Sequence, residues 1–431
     1  MRKTLLTALV ALIVGACSPG SPDSSPEPSI DPVTGEVVAP VGDGAEGTTA
    51  TVPSLQLIGR VVDTDGVPIS GATVSSSGMS TTTAPDGFYN LELPGAGLVT
   101  AVKPGWLSAE QPWDGNPGRL ELRMEPITVR ALRVSANAAG DPDLFQSLLD
   151  MADQTAVNAL VFDTKVEGGV VLYDTSVELA YEIGAVSATY DPTELIARAR
   201  EHGLYTITRI VAFDDAIKAA AYPDQAIAGR WMDPRNRDAW QYNLDLAVEA
   251  CEIGFDEIQL DYIRFPSGQA VAESGQLDMT QEERVGAVAG FLAAARRLLH
   301  PLGCSVSGDV FAIVVASPND QGIGQRPEEL SVQLDAFSPM IYPSHYSEGW
   351  LGFADPNEHP YDVTYDAIED TLRRVEPGRA VRPWLQSFWW TPEQIRRSIQ
   401  AAEDLGVGWM LWNIVSDYSL SSLPTDAELG G

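Results

Sequence analysis

Gly254-Phe255-Asp256-Glu257-Ile258-Gln259-Leu260-Asp261-Tyr262-Ile263-Arg264-Phe265-Pro266 is the stretch on which the fold turns. Its core, 258–263, reads as a short buried strand held between a glycine and a proline, both punctuators of regular structure. In an extended chain Ile258, Leu260 and Tyr262 share one face, and Gln259, Asp261 and Ile263 share the other. A sheet covered on both sides has near-continuous apolar strands, so a carboxylate inside one needs a partner or a task. Asp261 stands late on its strand, at the end where α/β barrels gather catalytic groups. A structural pairing with Arg264 is the plain alternative. Because perturbed carboxylates cluster at active sites, a catalytic or substrate-contacting Asp261 is the expectation.

Outward from this segment, strand-like and helix-like patterns alternate from about residue 127 onward. Strands are predicted at 128–134, 159–162, 205–211, 258–263, 305–311, 336–342, 381–385 and 408–412. Helices are predicted at 141–154, 192–202, 237–253, 282–300, 364–375 and 392–405. Eight strands separated mostly by helices predict an α/β fold of the (β/α)8 TIM-barrel type over 126–431. A doubly wound sheet would need a glycine-rich phosphate loop after an early strand, and the sequence has none.

The predicted strands deliver polar and aromatic groups at one common end. Asp163 and Lys165 follow the second, and Arg209 closes the third, with Asp214 just beyond. Asp261, Tyr262 and Arg264 end the fourth, and Asp309 lies on the fifth. Tyr342 and His345 end the sixth, Trp384 and Gln386 the seventh, and Trp412 the eighth. Paired carboxylates among aromatic rings are the apparatus of carbohydrate cleavage, where one carboxyl attacks or steadies an oxocarbenium-like centre and another protonates the leaving oxygen. Asp261 is expected in the first role and Asp309 in the second, although Asp309 after Gly308 also fits an ordinary turn aspartate. Asp163, Lys165, Arg209, Asp214, Tyr262, Arg264, Tyr342, His345, Trp384, Gln386 and Trp412 are the expected substrate contacts, on a polysaccharide or oligosaccharide. The ring positions also fit core packing.

Other chemistries are excluded by composition. The net charge of -33 leaves no basic surface for nucleic acid. Four histidines at non-ligand spacings argue against a zinc hydrolase, and no Gly-x-Ser-x-Gly elbow occurs. No metal and no cofactor is expected.

The N-terminus reads as a targeting segment. Arg2 and Lys3 precede an apolar run ending in Val14-Gly15-Ala16-Cys17, too short to span a bilayer but suited to a signal sequence at 1–16. The small residues before Cys17 resemble a bacterial lipobox, which implies lipidation of Cys17 and an exported, cell-surface lipoprotein held to the membrane by that lipid alone. Residues 18–54 are rich in Ser, Pro, Gly and acidic residues and read as a disordered tether, so 17–54 is one lipidated linker. The segment 55–125 alternates short strands with Asp-Gly turns and predicts a small β-sandwich. Trp106 and Trp113 there are candidates for a sugar platform or for core packing. Cys251 and Cys304 should fall at the starts of adjacent barrel strands, and are expected as two free buried thiols although export permits a disulfide.

Two resemblances complete the reading. Gly59-Arg60-Val61-Val62-Asp63, Gly71-Ala72-Thr73-Val74 and Asp86-Gly87-Phe88-Tyr89 resemble the carboxypeptidase regulatory-like domain, implying an immunoglobulin-like sandwich that serves as spacer or interaction module. The segment 254–266 with Met340-Ile341-Tyr342-Pro343-Ser344-His345-Tyr346, Arg209-Ile210-Val211-Ala212-Phe213-Asp214-Asp215 and Trp231-Met232-Asp233-Pro234 resembles the bacterial putative glycosyl hydrolase domain related to α-amylase-type barrels. Phe162-Asp163-Thr164-Lys165 matches too, with Val166 where that family usually has a further Asp. The resemblance implies a glycosidase barrel with Asp261 at the nucleophile position. Asp309 stands where amylase-type barrels carry a Glu, and Gln386 where they carry a stabilising Asp. Those departures support a second expectation, a non-catalytic carbohydrate-binding or envelope-organising lipoprotein.

Overall fold

A proline, not a loop, splits the seventh barrel strand. Ala380–Val381 and Trp384–Gln386 both pair with the sixth strand, and Arg382-Pro383 between them carries no ladder donor at the proline. The computed structural model describes residues 29–30, 37–38, 55–103 and 105–430. In it the barrel strands are β1 (Arg130–Arg133), β2 (Ala159–Lys165), β3 (Tyr205–Val211), β4 (Glu257–Asp261), β5 (Ser305–Phe311), β6 (Ala336–Ile341), β7 (Trp384–Gln386) and β8 (Trp409–Trp412). All neighbours are parallel, and β8 pairs with β1 while β5 pairs with β6, so the sheet closes. The predicted TIM barrel is what the chain forms.

Six longer helices pack outside: α1 (Pro142–Ala152), α2 (Pro192–Glu201), α3 (Arg237–Ile253), α4 (Gln281–Leu299), α5 (Pro360–Arg374) and α6 (Pro392–Asp404). Their starts follow from local chemistry. Asp141 and Asp191 accept the free backbone N–H groups just after Pro142 and Pro192, and Thr280 with Glu283 closes a reciprocal cap on α4. Leu160, Phe162, Ile258, Leu260, Val306 and Val310 point outward and form one core with the helices. Inside the barrel, Ala131, Val161, Ile207, Trp384 and Met410 form a second.

β4 ends two residues earlier than predicted, at Asp261, because Tyr262 is left-handed with φ 49. That turn breaks the alternation: Tyr262 comes to the same cavity as Asp261, and Ile263 goes to the helix-side core. The bulkier correction concerns the cysteines. Cys251, at the end of α3, and Cys304, just before β5, are joined in a disulfide with Cα atoms 6.0 Å apart, not two free thiols. β4 and β5 pair directly, which sets their N-terminal flanks within bridging distance.

Residues 55–123 form a three-stranded sheet centred on Leu55–Val62 and a four-stranded sheet from Thr73–Ser76 to Ala109–Trp113. Leu57, Val61, Val74, Tyr89, Val99 and Trp113 fill their shared core. Gly59 is needed there, since a Cβ would meet Leu120 O and the Tyr89 hydroxyl. Trp113 is thus a core residue, its indole N–H donating to Asn116 O at 3.0 Å, and Trp106 is partly buried against the same core. Cys17, the leader 1–16 and the linker lie outside the described residues, apart from an antiparallel pairing of Ser29–Ile30 with Val37–Val38.

Candidate active site

Arg209 organises the C-terminal mouth of the barrel. It lies late on β3 with 1% of its surface exposed, and its guanidinium reaches three carboxylates. Nε meets Asp261 Oδ2 at 2.8 Å, Nη1 meets Asp163 Oδ1 at 2.8 Å, and Nη2 contacts both Glu167 and Asp261. A second guanidinium, Arg133 at the end of β1, takes the other oxygen of Asp163 at 2.6 Å. Both cations also lie over the ring of Trp412, 4.2 Å from Arg133 and 4.8 Å from Arg209. Three carboxylates on two guanidiniums leave the cluster negative, and burial makes that imbalance count.

The cluster forms one wall of a cavity of about 630 Å³. Glu167, Arg209, Asp261 and Tyr262 supply its polar side, while Tyr342, Trp384, Trp412, Phe311, Tyr346 and Trp350 supply rings. A cavity with convergent charges and aromatic walls has the form of a small-molecule or glycan site. Asp261 Oδ1 accepts the Tyr262 backbone N–H at 2.6 Å, which with the Arg209 contacts favours the charged carboxylate. Burial nonetheless pushes the Asp261 carboxyl up, against the pull of Arg209. Burial acts the same way on Glu167, but the Arg209 guanidinium outweighs it and holds that carboxyl below its ordinary range. Burial raises the Tyr262 hydroxyl to about 12 and lowers His345, whose ring lines the cavity.

Asp309 is close to this cluster but not in the cavity wall. It is 1% exposed, and the Trp384 indole N–H donates to its Oδ1 at 3.0 Å. Oδ2 is buried without a hydrogen-bond partner among the described residues. Burial, and then the charge of Asp261, push Asp309 well above the usual carboxylate range. Of the pair, Asp309 is pushed further toward its neutral form, while Arg209 and the Tyr262 N–H pull Asp261 back toward its charged form.

Several expected contacts lie elsewhere. Lys165 is fully buried, ion-paired with Asp215 at 2.7 Å and facing the Tyr242 ring, because a register shift between Asp163 and Lys165 takes it out of phase with Asp163. Asp214 pairs with Arg230 and is absent from the cavity wall. Arg264 makes no ion pair with Asp261; it donates to Phe265 O and Ser267 Oγ and lies against Trp231, Tyr262 and Phe311. Gln386 braces loops, accepting Ser344 N–H at 3.2 Å and donating to Asn357 and Phe388 O. Asp163 orients the two guanidiniums without reaching the cavity. Tyr342, His345, Trp384 and Trp412 do line it.

Two charged residues of the site, Glu167 and Arg133, escaped the sequence reading, as did the cavity rings of Phe311, Tyr346 and Trp350. The same register shift that withdraws Lys165 lets the chain turn at Gly168 and Gly169 and return Glu167 to the mouth. Gly169 is required there, since a Cβ would lie 2.0 Å from Asp215 Oδ1. Arg133 could have been found as a cation at the end of the first apolar strand.

Comparison with known proteins agrees with this architecture. Among solved structures, the glycoside hydrolase domain of PgaB (BpsB) from Bordetella bronchiseptica is 14% identical over 67% of this chain and 95% of that one, with TM-score 0.51. It is similar in fold. A hypothetical protein from Ruminiclostridium thermocellum ATCC 27405 is 32% identical and covers 42% of this chain and 97% of its own, with TM-score 0.36. No curated protein matches. A family model described as a putative glycosyl hydrolase domain matches residues 131–418, from β1 to just past β8. The chain belongs to that family, the putative glycosyl hydrolase domains.

Proposed function

We propose that the cavity at the barrel mouth binds a glycan and hydrolyses a glycosidic bond, with Asp261 acting on the anomeric centre. The observation that carries this reading is a carboxyl at the end of β4 in contact with Arg209, lining an aromatic-walled cavity beside a second carboxyl, Glu167. Family membership supports the reaction class. Contact of both carboxyls with Arg209 Nη2 favours the shorter of the two spacings that glycosidases use, roughly 5–5.5 Å, and with it retention of configuration. Glu167 is placed to protonate the leaving oxygen. Arg209 holds the Glu167 carboxyl below its ordinary range, so acid duty requires the sugar to displace that contact. Asp309, the expected donor, is pushed well up by burial and by Asp261 but meets the cavity only through Trp384.

The test uses glycosides with good and poor leaving groups. Glu167→Gln should lower kcat strongly on the poor leaving group and little on the good one, because acid assistance is then redundant. Equal losses on both would remove Glu167 from the acid role, and the same pattern in Asp309→Asn would return it to Asp309. A second reading, carbohydrate binding without hydrolysis, draws on one observation: the carboxyl most strongly held neutral is walled off from the cavity. It predicts glycan affinity that survives with no turnover.

Export and anchoring through Cys17 belong to the same proposal. The lipobox-like ending supports it, and so does the Cys251–Cys304 disulfide, a bond that oxidising compartments preserve. Cys17→Ser should release the protein from the membrane fraction, and wild type found freely soluble would count against the anchor.

A further inference from the structure

Trp389 is 82% exposed, yet it sits in the loop after β7, beside the cavity mouth. Its backbone is left-handed, with φ 60, a conformation that disfavours a bulky residue and persists only where the surroundings enforce it. The surroundings do enforce it. Gln386 donates to Phe388 O at 3.1 Å, Asn413 donates to Ser387 O at 2.7 Å, and the Trp390 indole donates to Asn357 at 2.9 Å. The loop is pinned on both sides of Trp389, while its own indole projects into solvent.

The ring is not isolated. Trp389 stands edge-on to Phe388 with centroids 5.1 Å apart, and Phe388 stands edge-on to Tyr342 at 5.6 Å. Phe388 also lies 6.2 Å from His345, which stands edge-on to Tyr342 at 5.4 Å. Tyr342 and His345 are cavity walls. A run of contiguous rings therefore leads from the Asp261 cavity to an open indole at the rim. Aromatic faces stack on the C–H faces of sugars, and an aromatic residue held rigid in advance loses little entropy on binding.

We infer that Trp389 is an outlying sugar subsite, and that the cavity takes an extended glycan chain that runs out over Phe388 to Trp389. The inference rests on the glycan reading of the cavity. It specifies a polymer or long oligomer as the substrate class, with Trp389 deciding chain-length preference and taking no part in bond cleavage.

The experiment compares wild type, Trp389→Ala and Ile414→Ser. Ile414 is 64% exposed in the adjoining loop after β8 and reports on a general apolar rim. Turnover is measured on oligosaccharide ladders of cello-, xylo-, chito- and malto-series and on short aryl glycosides. Retardation is measured in gels containing soluble β-glucan, xylan, chitosan or starch. Trp389→Ala should raise KM on the longest responsive oligomers by about two- to tenfold, the range expected of one lost aromatic contact, and leave kcat and short aryl glycosides unchanged. Turnover with the same chain-length dependence in Trp389→Ala would overturn the inference and leave the hydrolase reading standing. Gel retardation without turnover, lost in Trp389→Ala alone, would support the subsite while hydrolysis fails. Neither retardation nor turnover would overturn both. Equal losses in Ile414→Ser would overturn the subsite in favour of an unspecific apolar rim. The exposed indole bears no core packing, so the substitution leaves the fold intact.

Discussion

Glu257 and Asp261 stand four residues apart on one strand and face the same barrel interior, and their surroundings differ in kind. Glu257, at the N-terminal end, is matched by one cation: Arg382 binds its carboxylate, with Ser307 and Tyr205 hydroxyls donating as well. Asp261, at the C-terminal end, shares Arg209 with Asp163 and Glu167, Arg133 holds Asp163 from the other side, and Asp309, its carboxyl pushed up by burial, lies behind it. The first arrangement balances its charge and holds strands together. The second leaves an excess of negative charge against an open, ring-lined cavity, where an ionised group can meet a substrate. Burial of a carboxylate is common to both, so burial alone does not mark the site; the charge balance and the cavity do.

That contrast breaks most sharply by neutralising each acid in turn. Asp261→Asn should lower kcat by about three orders of magnitude on any substrate wild type cleaves. Its stability should change by only about 1 kcal/mol, because Arg209 keeps two carboxylates and a buried charge is removed. Glu257→Gln should do the reverse, costing ~3–5 kcal/mol by leaving Arg382 buried without its counter-charge, with turnover of the folded protein retained. Denaturant unfolding alongside kinetics reads both. If Asp261→Asn destabilises as much as Glu257→Gln and spares activity, the mouth is another structural ion cluster.

The disulfide sharpens the same division, since it lies at the N-terminal end with Glu257. Replacing Cys251 and Cys304 together by Ser should cost ~2–4 kcal/mol, because a closed loop spanning 53 positions no longer restrains the unfolded chain. Kinetic constants measured below the melting transition should not move, and a changed KM would mean that the two barrel ends are coupled.

The smallest effect concerns Asp309. Its folded-state pKa is raised, so above the ordinary carboxylate range the folded protein holds a proton that the unfolded chain has released. Stability from this group is therefore greatest in acid and declines as pH rises toward the folded pKa. Asp309→Asn, neutral at every pH and able to keep an acceptor for Trp384, should remove that decline and leave Tm at neutral pH equal or higher. A lower Tm at neutral pH, with the decline preserved, would show that Asp309 is ionised in the folded protein and that the proton resides elsewhere.

Much of this was legible in advance. Strand and helix periods depend on neighbouring residues, so the eight strands, their order and the polar ends at one mouth could be read without coordinates. Asp261 and Arg209 were identified because each is a charge on a strand whose other residues are apolar. Tyr342, His345, Trp384 and Trp412 followed from the same rule and do line the cavity. Lys165 and Gln386 obeyed the rule equally well, yet the structure binds them to Asp215 and to the Asn357 and Phe388 loops.

The sequence by itself determined the barrel, the end of it where charged and aromatic groups gather, and the carboxylate on its fourth strand, because periodicity and charge placement are local properties. Tertiary structure alone decided which charges meet. One register shift after Asp163 withdrew Lys165 and delivered Glu167, and one left-handed residue turned Tyr262 to the cavity. Cys251 and Cys304 found each other across paired strands, and Asp309 was sealed behind Trp384. Each outcome depends on a one-residue phase change or on partners far apart in the chain, and a side-chain period of two reverses its meaning when the phase slips by one.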